Sequence, residues 1–484
     1  MMSGGDTIAA VSTPHGVGGI AVIRVSGEDA TTICDKVWRG KQLSDCESHT
    51  VHLGEIVYHD GEMLDNAVAT VFRAPGSFTG ENVVELSVHG SPWIQQEVIN
   101  LLVDAGARVA NAGEFTRRAF VNGKLDLAQA EGVADMIAAS SRAAQRLASR
   151  QMKGDFSRRL GSIRDEMVTL ASLLELELDF SEEDVEFADR DHLRRLCDNV
   201  RQQIDRLAGT FRAGHALKEG VSVVIAGAPN VGKSTLLNRL LGEEKAIVSD
   251  IAGTTRDIIE DTIPIDDVLF RLIDTAGLRQ SGDTIEQIGI ERALSNLAKA
   301  DIILCMIDSN EDIARQVKYL NTVLSDYGVS NNKDKGRRSD GDTSPAQPDI
   351  LWIINKADIS SDDHLSEQKE IVQSLSHAVP KAIITLSAKE GSGIKDLTDS
   401  MTERARHGLD LQSELIVTNA RHYDSLVKTR AAIDRFTAAM QSGLSTDLLT
   451  QDLREAIHHL GQITGAITTD TLLQTIFSRF CIGK

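Results

Sequence analysis

Over residues 1–120 apolar positions alternate in short runs between turn residues, the pattern of half-buried strands. Ile20-Ala21-Val22-Ile23-Arg24-Val25 reads as a strand, entered through Gly16-Val17-Gly18-Gly19 and left through Ser26-Gly27. Residues 68–72 and 83–88 read as two more strands, and 94–103 has helical spacing, so this stretch is an α+β domain. From Leu125 the period changes. Leu160, Ile163, Met167, Leu170 and Leu174 step by three and four, as do Leu193, Leu196, Val200, Ile204, Leu207 and Phe211, which marks apolar stripes on long amphipathic helices. The stripe is expected to stop at Gly214 and to resume with Ile433, Phe436, Met440, Leu449, Leu453 and Leu460. One all-α domain, interrupted by a guest, accounts for both halves.

The guest alternates strand and helix. Runs at 221–226, 269–273, 302–307, 351–354 and 382–386 are short and continuously apolar, as strands covered on both faces are, which predicts a mostly parallel α/β sheet. Ligands of such sheets bind beyond the carboxyl ends of the strands. The expected organisation is therefore an α+β domain at 1–120, helical segments at 121–218 and 391–484, and an inserted α/β domain at 219–390. Within the guest, 328–348 is polar, charged and rich in Gly and Pro, the composition of a disordered surface insertion.

Composition agrees with several folded domains. The chain has 484 residues, 41% apolar and 25% charged. The net charge of −20 excludes general electrostatic attraction to nucleic acid, so any RNA contact needs a local basic patch. Arg142, Arg146, Arg150 and Lys153 share one helix side, which suits either nucleic-acid phosphate or plain solvent. Five scattered cysteines without a C-x-x-C pair suit a reducing compartment. No apolar run approaches the ~20 residues of a membrane span, and the N-terminus lacks a signal or transit pattern, so a cytoplasmic location is expected.

The chemistry sits at the strand ends. Gly227-Ala228-Pro229-Asn230-Val231-Gly232-Lys233-Ser234 matches G-x-x-x-x-G-K-[ST] between a strand and a helix. Its glycines let backbone N–H groups close round phosphate oxygens at a helix N-terminus, with Thr235 next in line. Lys233 is expected to reach the terminal phosphates, and the Ser234 hydroxyl to ligate Mg²⁺. Asp274-Thr275-Ala276-Gly277 follows the second strand, where a carboxylate acts on the Mg²⁺ shell and the glycine N–H meets the γ-phosphate. Asn355-Lys356-Ala357-Asp358 resembles the N-K-x-D motif of GTPases. Its aspartate accepts hydrogen bonds from the guanine N1–H and N2–H₂ edge that adenine lacks. Ser387-Ala388-Lys389 matches the loop beside the base. Between the first two motifs, Ser249-Asp250-Ile251-Ala252-Gly253-Thr254-Thr255-Arg256-Asp257 has the position of a switch, with Thr255 offering a hydroxyl to Mg²⁺. Leu278 stands where Ras-like enzymes carry a water-positioning glutamine. Glu286 is either a substitute for it or a solvated charge.

The chain resembles the bacterial MnmE (TrmE) family of tRNA-modification GTPases over nearly its whole length. The likeness rests on Gly16-Val17-Gly18-Gly19-Ile20, Phe78-Thr79-Gly80-Glu81, Lys124-Leu125-Asp126-Leu127-Ala128-Gln129-Ala130-Glu131, Gly253-Thr254-Thr255-Arg256-Asp257 and Phe480-Cys481-Ile482-Gly483-Lys484. It implies a homodimer and a flavoprotein partner, MnmG, in a heterotetramer. It also implies addition of an aminomethyl or carboxymethylaminomethyl group to carbon 5 of a tRNA wobble uridine. The one-carbon unit would come from a tetrahydrofolate derivative (5-formyl or methylene) bound by the N-terminal domain, with Arg24, Glu81, Lys124 and Lys484 at the folate site. GTP hydrolysis would be K⁺-activated, with K⁺ held by Asn230 and by carbonyls of Ser249, Ile251 and Thr254. Glu286 would orient the attacking water, and Cys481 would be a candidate functional thiol. From the residues alone, Arg24 is equally satisfied by an internal salt bridge, and Glu81 and Lys124 are surface charges. A regulatory or ribosome-assembly GTPase that binds RNA without modifying it fits the nucleotide motifs equally well, although it leaves the N-terminal domain and the tail unexplained.

Overall fold

A computed structural model describes residues 5–179, 190–244, 260–266, 268–273, 300–326, 348–376, 380, 382–407, 415–442, 446–478, 480 and 482–483. The chain forms two compact units, one of residues 1–138, 148–204 and 424–484, the other of 139–147 and 205–423.

The first unit opens with a mixed sheet of β1 (Ile8–Val11), β2 (Gly18–Ser26), β3 (Trp38–Arg39), β4 (Thr50–Val57), β5 (Met63–Phe72), β6 (Val83–Gly90) and β7 (Arg108–Val109), in the order β3-β4-β5-β6-β2-β1-β7. Helices α1 (Ala30–Asp35), α2 (Pro92–Asp104) and α3 (Glu114–Val121) accompany it. Strand alternation decides the faces. Ala21, Ile23 and Val25 of β2 join Ala67, Ala69 and Val71 of β5 and Leu86 and Val88 of β6 in one core with Val98 and Leu102 of α2. Ile20, Val22 and Arg24 therefore lie on the opposite, more open face.

Helices α4 (Leu127–Ala138), α5 (Arg142–Met152), α6 (Asp155–Asp179), α7 (Arg190–Gly209) and α8 (Phe211–Glu219) follow. The stripe of α6, Leu160 through Leu174, is fully buried, and so are Leu193, Val200 and Ile204 of α7. Two details depart from the expected pattern. Helix α7 ends before Phe211, because the Thr210 hydroxyl donates to the Leu207 carbonyl (2.7 Å) and accepts the Val417 N–H (2.9 Å). Gly214 does not stop the helix; it lies inside α8, where a Cβ would sit 2.2 Å from the Val417 carbonyl oxygen. The glycine is required by a crossing backbone.

The inserted sheet contains β8 (Val221–Gly227), β9 (Glu260–Ile265), β10 (Val268–Ile273), β11 (Ile302–Asp308), β12 (Asp349–Asn355) and β13 (Ala382–Thr385), in the order β13-β12-β11-β8-β10-β9. All neighbours are parallel except β9, which pairs antiparallel to β10. Helices α9 (Lys233–Glu244), α10 (Ile313–Asp326), α11 (Asp362–Leu375) and α12 (Ile394–His407) cover both faces. Alternation again sorts the residues: Val223, Ile225, Leu304 and Met306 pack with Leu236 and Leu240 of α9, whereas Val224, Ile303, Cys305 and Ile307 pack with Val317 and Leu320 of α10. Strand β9 was not anticipated. Its Pro264 cannot donate to a ladder and is accommodated because β9 is the outermost strand.

The chain then returns to helices α13 (Ala420–Gln441), α14 (Thr446–Thr464) and α15 (Asp470–Phe477). Helix α14 packs on α6, and Arg454 reaches Glu175 at 2.7 Å, so sequence-distant helices close one bundle in the first unit. Among the described residues no helix is long and apolar enough to cross a membrane. The segment 328–348 lies outside the described residues except for Pro348.

Candidate functional site

Four parallel strands, β8, β11, β12 and β13, deliver their carboxyl ends to one edge of the inserted sheet. Residues 227–233 leave β8 there as a loop that can close only with unusual backbone: Asn230 has φ +67° and Gly232 φ +101°. A Cβ on Gly232 would lie 2.4 Å from Asn355 Nδ2, and one on Gly227 would lie 2.5 Å from the Met306 carbonyl oxygen. The loop is thus built around bare backbone. Val231 is buried, and Ser234 and Thr235 are exposed in the first turn of α9. Lys233 Nζ donates to the carbonyls of Gly227 (2.8 Å) and Ala228 (2.9 Å), arching over the loop it belongs to.

Asn355, the last residue of β12, joins this loop to the next. Its Nδ2 donates to the Val231 carbonyl (2.7 Å), and its Oδ1 accepts the Ala388 N–H (2.9 Å). Lys356 follows with φ +63°, and Asp358 is exposed on the succeeding turn. Ser387 and Ala388 are buried in a tight turn, in which the Glu390 N–H donates to Ser387 Oγ at 3.1 Å, whereas Lys389 is exposed. Arg239 of α9 donates to the Ala388 carbonyl (3.4 Å) and to that of Lys389. Nothing in the sequence singled out Arg239, since only the fold brings α9 against the 388–389 carbonyls.

The remaining nucleotide-site candidates lie outside the described residues: Ser249, Asp250, Ile251, Ala252, Gly253, Thr254 and Thr255, then Asp274, Thr275, Ala276 and Gly277, and Glu286. Strand β10 ends at Ile273, beside β8, so the 274–277 motif starts from the carboxyl end of a strand adjoining the phosphate-type loop.

A second cluster occupies the N-terminal sheet. Arg24 pairs with Glu85 across β2 and β6 (2.7 Å) and lies over the rings of Phe78 and Phe115, at 5.5 and 5.7 Å. Glu81 is no lone surface charge: Ser26 Oγ donates to it (2.7 Å), and Arg118 donates at 3.1 and 3.2 Å. Lys124 is exposed and donates to the Pro75 carbonyl (3.0 Å), and its stem packs beside Gly80. Arg118 also reaches Asp6 and Glu114, and Arg108 forms two bonds to Glu114. Burial raises the Glu114 pKa, but the Arg108 hydrogen bond, the Asn111 N–H and the charges of Arg108 and Arg118 outweigh it and hold the carboxyl down to about 2. Sequence reading missed Arg108, Glu114 and Arg118. The tail reaches the same sheet: Ser12 Oγ donates to the Gly483 carbonyl (3.0 Å), and Gly483, at φ +94°, would place a Cβ 2.1 Å from the Val11 carbonyl oxygen. Lys484 and Cys481 lie outside the described residues. Cys34, Cys46, Cys197 and Cys305 are free and buried, and burial pushes the thiols of Cys197 and Cys305 up to about 12. On α5, Arg142, Arg146 and Arg150 are exposed, as is Lys153 just beyond it.

A family model described as the GTP-binding protein TrmE N-terminus matches residues 7–124, and one described as the MnmE helical domain matches residues 127–481. The tRNA modification GTPase MnmE of Christiangramia forsetii is 46% identical over 484 residues, covering 99% of each chain. That of Parabacteroides distasonis is 46% identical over 483 residues, covering 99% of this chain and all of its own. The chain belongs to the MnmE family of tRNA modification GTPases. The MnmE of Cytophaga hutchinsonii is also similar, 44% identical over 99% of this chain and 98% of its own. MnmE membership accounts for the three-part fold: a TrmE-type α+β domain, a helical domain in two halves, and the α/β guest carrying the P-loop.

Proposed function

We propose that this chain binds Mg²⁺·GTP at the 227–233, 355–358 and 387–389 edge and hydrolyses it in the course of tRNA modification. The observation that carries this reading is the Asn355 amide, which ties the G-x-x-x-x-G-K-S loop at Val231 to the Ser387-Ala388-Lys389 loop at Ala388. In the roles assigned, Val231, Gly232 and the α9 N-terminus offer N–H groups to phosphate oxygens, and Lys233 leaves the Gly227 and Ala228 carbonyls to reach them. Ser234 and Thr255 hold Mg²⁺, which neutralises phosphate charge when bound. Asp274, Thr275, Ala276 and Gly277 take the roles of the D-x-x-G motif, the carboxylate acting on the Mg²⁺ shell and the glycine N–H on the γ-phosphate. Asp358 selects guanine, with Lys356, Ser387, Ala388 and Lys389 enclosing the base. Glu286 orients the water. Asn230 and the carbonyls of Ser249, Ile251 and Thr254 hold K⁺, with Asp250, Ala252 and Gly253 completing that loop.

The modification itself is proposed to be addition of a (carboxymethyl)aminomethyl group to carbon 5 of the wobble uridine. A homodimer of this chain would act with a flavoprotein partner of the MnmG kind. A tetrahydrofolate derivative would bind near Arg24, Glu81, Lys124 and Lys484. Two features fit an anionic, aromatic-bearing ligand there: the Arg24 guanidinium beside the exposed Phe78 ring, and the exposed Lys124, whose ammonium reaches the Pro75 carbonyl three residues before that ring. Mass spectrometry of tRNA wobble uridines tests the reading. Cells lacking the protein should lose the modification and regain it with the wild-type chain, but not with Lys233→Ala. Unchanged wobble uridines in the deleted cells would refute it.

A further inference from the structure

The N-K-x-D turn places its aspartate in the open, so something else must aim it. Asp358 is exposed, and its direction follows from the backbone of the turn Ala357–Ile359. That backbone starts from a strained point: Lys356, with a full side chain, sits at φ +63° and ψ +34°, a left-handed conformation that disfavours non-glycine residues. Strain of this kind persists only where neighbours over-determine it.

The neighbours come from the end of β11. Lys356 Nζ pairs with Asp308 Oδ2, whose side chain is only 5% exposed. The next residue, Ser309, donates its hydroxyl to the Lys356 carbonyl (3.1 Å) and its N–H to the Asn355 carbonyl (3.1 Å). Asp308 is itself fixed from every side. Its N–H donates to Gln316 Oε1 (2.9 Å), its carbonyl accepts from Gln316 Nε2 (3.0 Å), and its Oδ1 accepts from the Asn310 N–H (2.9 Å) and Nδ2 (3.2 Å). Gln368 of α11 in turn holds the Ser309 carbonyl (2.7 Å).

We infer that Asp308 is a positioning residue for guanine recognition, pinning Lys356 in its left-handed conformation so that Asp358 presents its carboxylate in a fixed direction to the base. The inference rests on the GTP reading above and adds a part that the sequence motif does not contain. An ordinary strand-end ion pair would stabilise the unit without touching base selection. A positioning role requires that breaking the pair blunt the discrimination Asp358 performs. Inosine triphosphate isolates that discrimination, because it keeps the triphosphate, ribose and N1–H of GTP and lacks only the 2-amino group.

The test measures binding of GTP and inosine triphosphate to the full chain by calorimetry. Asp308→Asn keeps the size of the side chain and the acceptor facing Asn310 but turns an amide toward Lys356. Lys356→Gln breaks the same pair from the other end and serves if the first variant fails to fold. Each is expected to shrink the GTP-over-inosine preference by about fivefold, the scale of one weakened hydrogen bond to a charged acceptor. In the double variant the preference should fall no further than in either single one, since both act on one contact. Equal weakening of both nucleotides, no weakening of either, or multiplicative loss in the double variant would overturn the inference. A wild-type chain that binds neither nucleotide would instead refute the GTPase reading.

Discussion

Replacing Asn355 by alanine should loosen the inserted sheet at the point where its two ligand-facing loops meet. The side chain is 3% exposed, and its amide satisfies the Val231 carbonyl and the Ala388 N–H, both on residues 1% exposed. Alanine removes both partners at once. An orphaned buried backbone group costs about 1–3 kcal/mol, and the small space left by the amide relaxes only in part, so the combined loss is about 2–4 kcal/mol. At about 1.4 kcal/mol per tenfold, opening of β8 and β12 becomes roughly 30- to 700-fold more frequent. Hydrogen exchange followed by mass spectrometry on the full chain reads this directly. Peptides from Val221–Gly227 and Asp349–Asn355 should exchange faster by that factor, whereas peptides from β5 and β6 serve as the unchanged control. Asn355→Asp should behave similarly, because one oxygen still accepts from Ala388 but the other meets the Val231 carbonyl. An increase below about threefold would refute the argument that this amide joins the loops.

Other consequences follow from the same kind of accounting. Glu114 is held at about 2 in the fold against an ordinary 4.5, so its stabilisation is complete above pH 4.5 and is lost as pH falls towards 2. Acid unfolding of the N-terminal domain should therefore be less steep in Glu114→Gln across that window, with up to about 3 kcal/mol at stake at neutral pH; identical profiles would contradict it. Gly483→Ala forces a methyl group to within 2.1 Å of the Val11 carbonyl oxygen. The tail should leave its seat on β1 and become cleavable by carboxypeptidase at least tenfold faster, and equal rates would count against the seat. Glu286→Ala should keep GTP affinity within about threefold while slowing hydrolysis by about 10²-fold or more, as expected for a group acting on the water; a normal turnover rate would return Glu286 to a surface charge.

Legibility in the sequence followed burial. Strands β8, β11 and β12 announce themselves because helices cover both their faces, which leaves continuous runs such as Ile302-Ile303-Leu304-Cys305-Met306-Ile307. Their carboxyl ends carry the motifs, so the edge where 227–233, 355–358 and 387–389 meet was readable before any fold was known. Strand β9, Glu260-Asp261-Thr262-Ile263-Pro264-Ile265, hid because an edge strand tolerates charge and proline. Gly214 misled because a close backbone crossing and a helix stop look alike in one dimension. Arg118, which joins Glu81, Asp6 and Glu114 over separations of up to 112 residues, and Asp308, one residue past an apolar run, have no periodicity to betray them. Their partners exist only once the sheets are assembled.

Guanine selection by the edge that Asn355 organises is tested most directly by titrating the purified chain with GTP and with ATP, beside the Asp358→Asn variant. The account predicts that GTP binds at least about 100-fold more tightly than ATP, and that the variant loses most of this margin because an amide no longer accepts from both N1–H and N2–H₂. Equal affinity for the two nucleotides, or a margin untouched by the substitution, would contradict it.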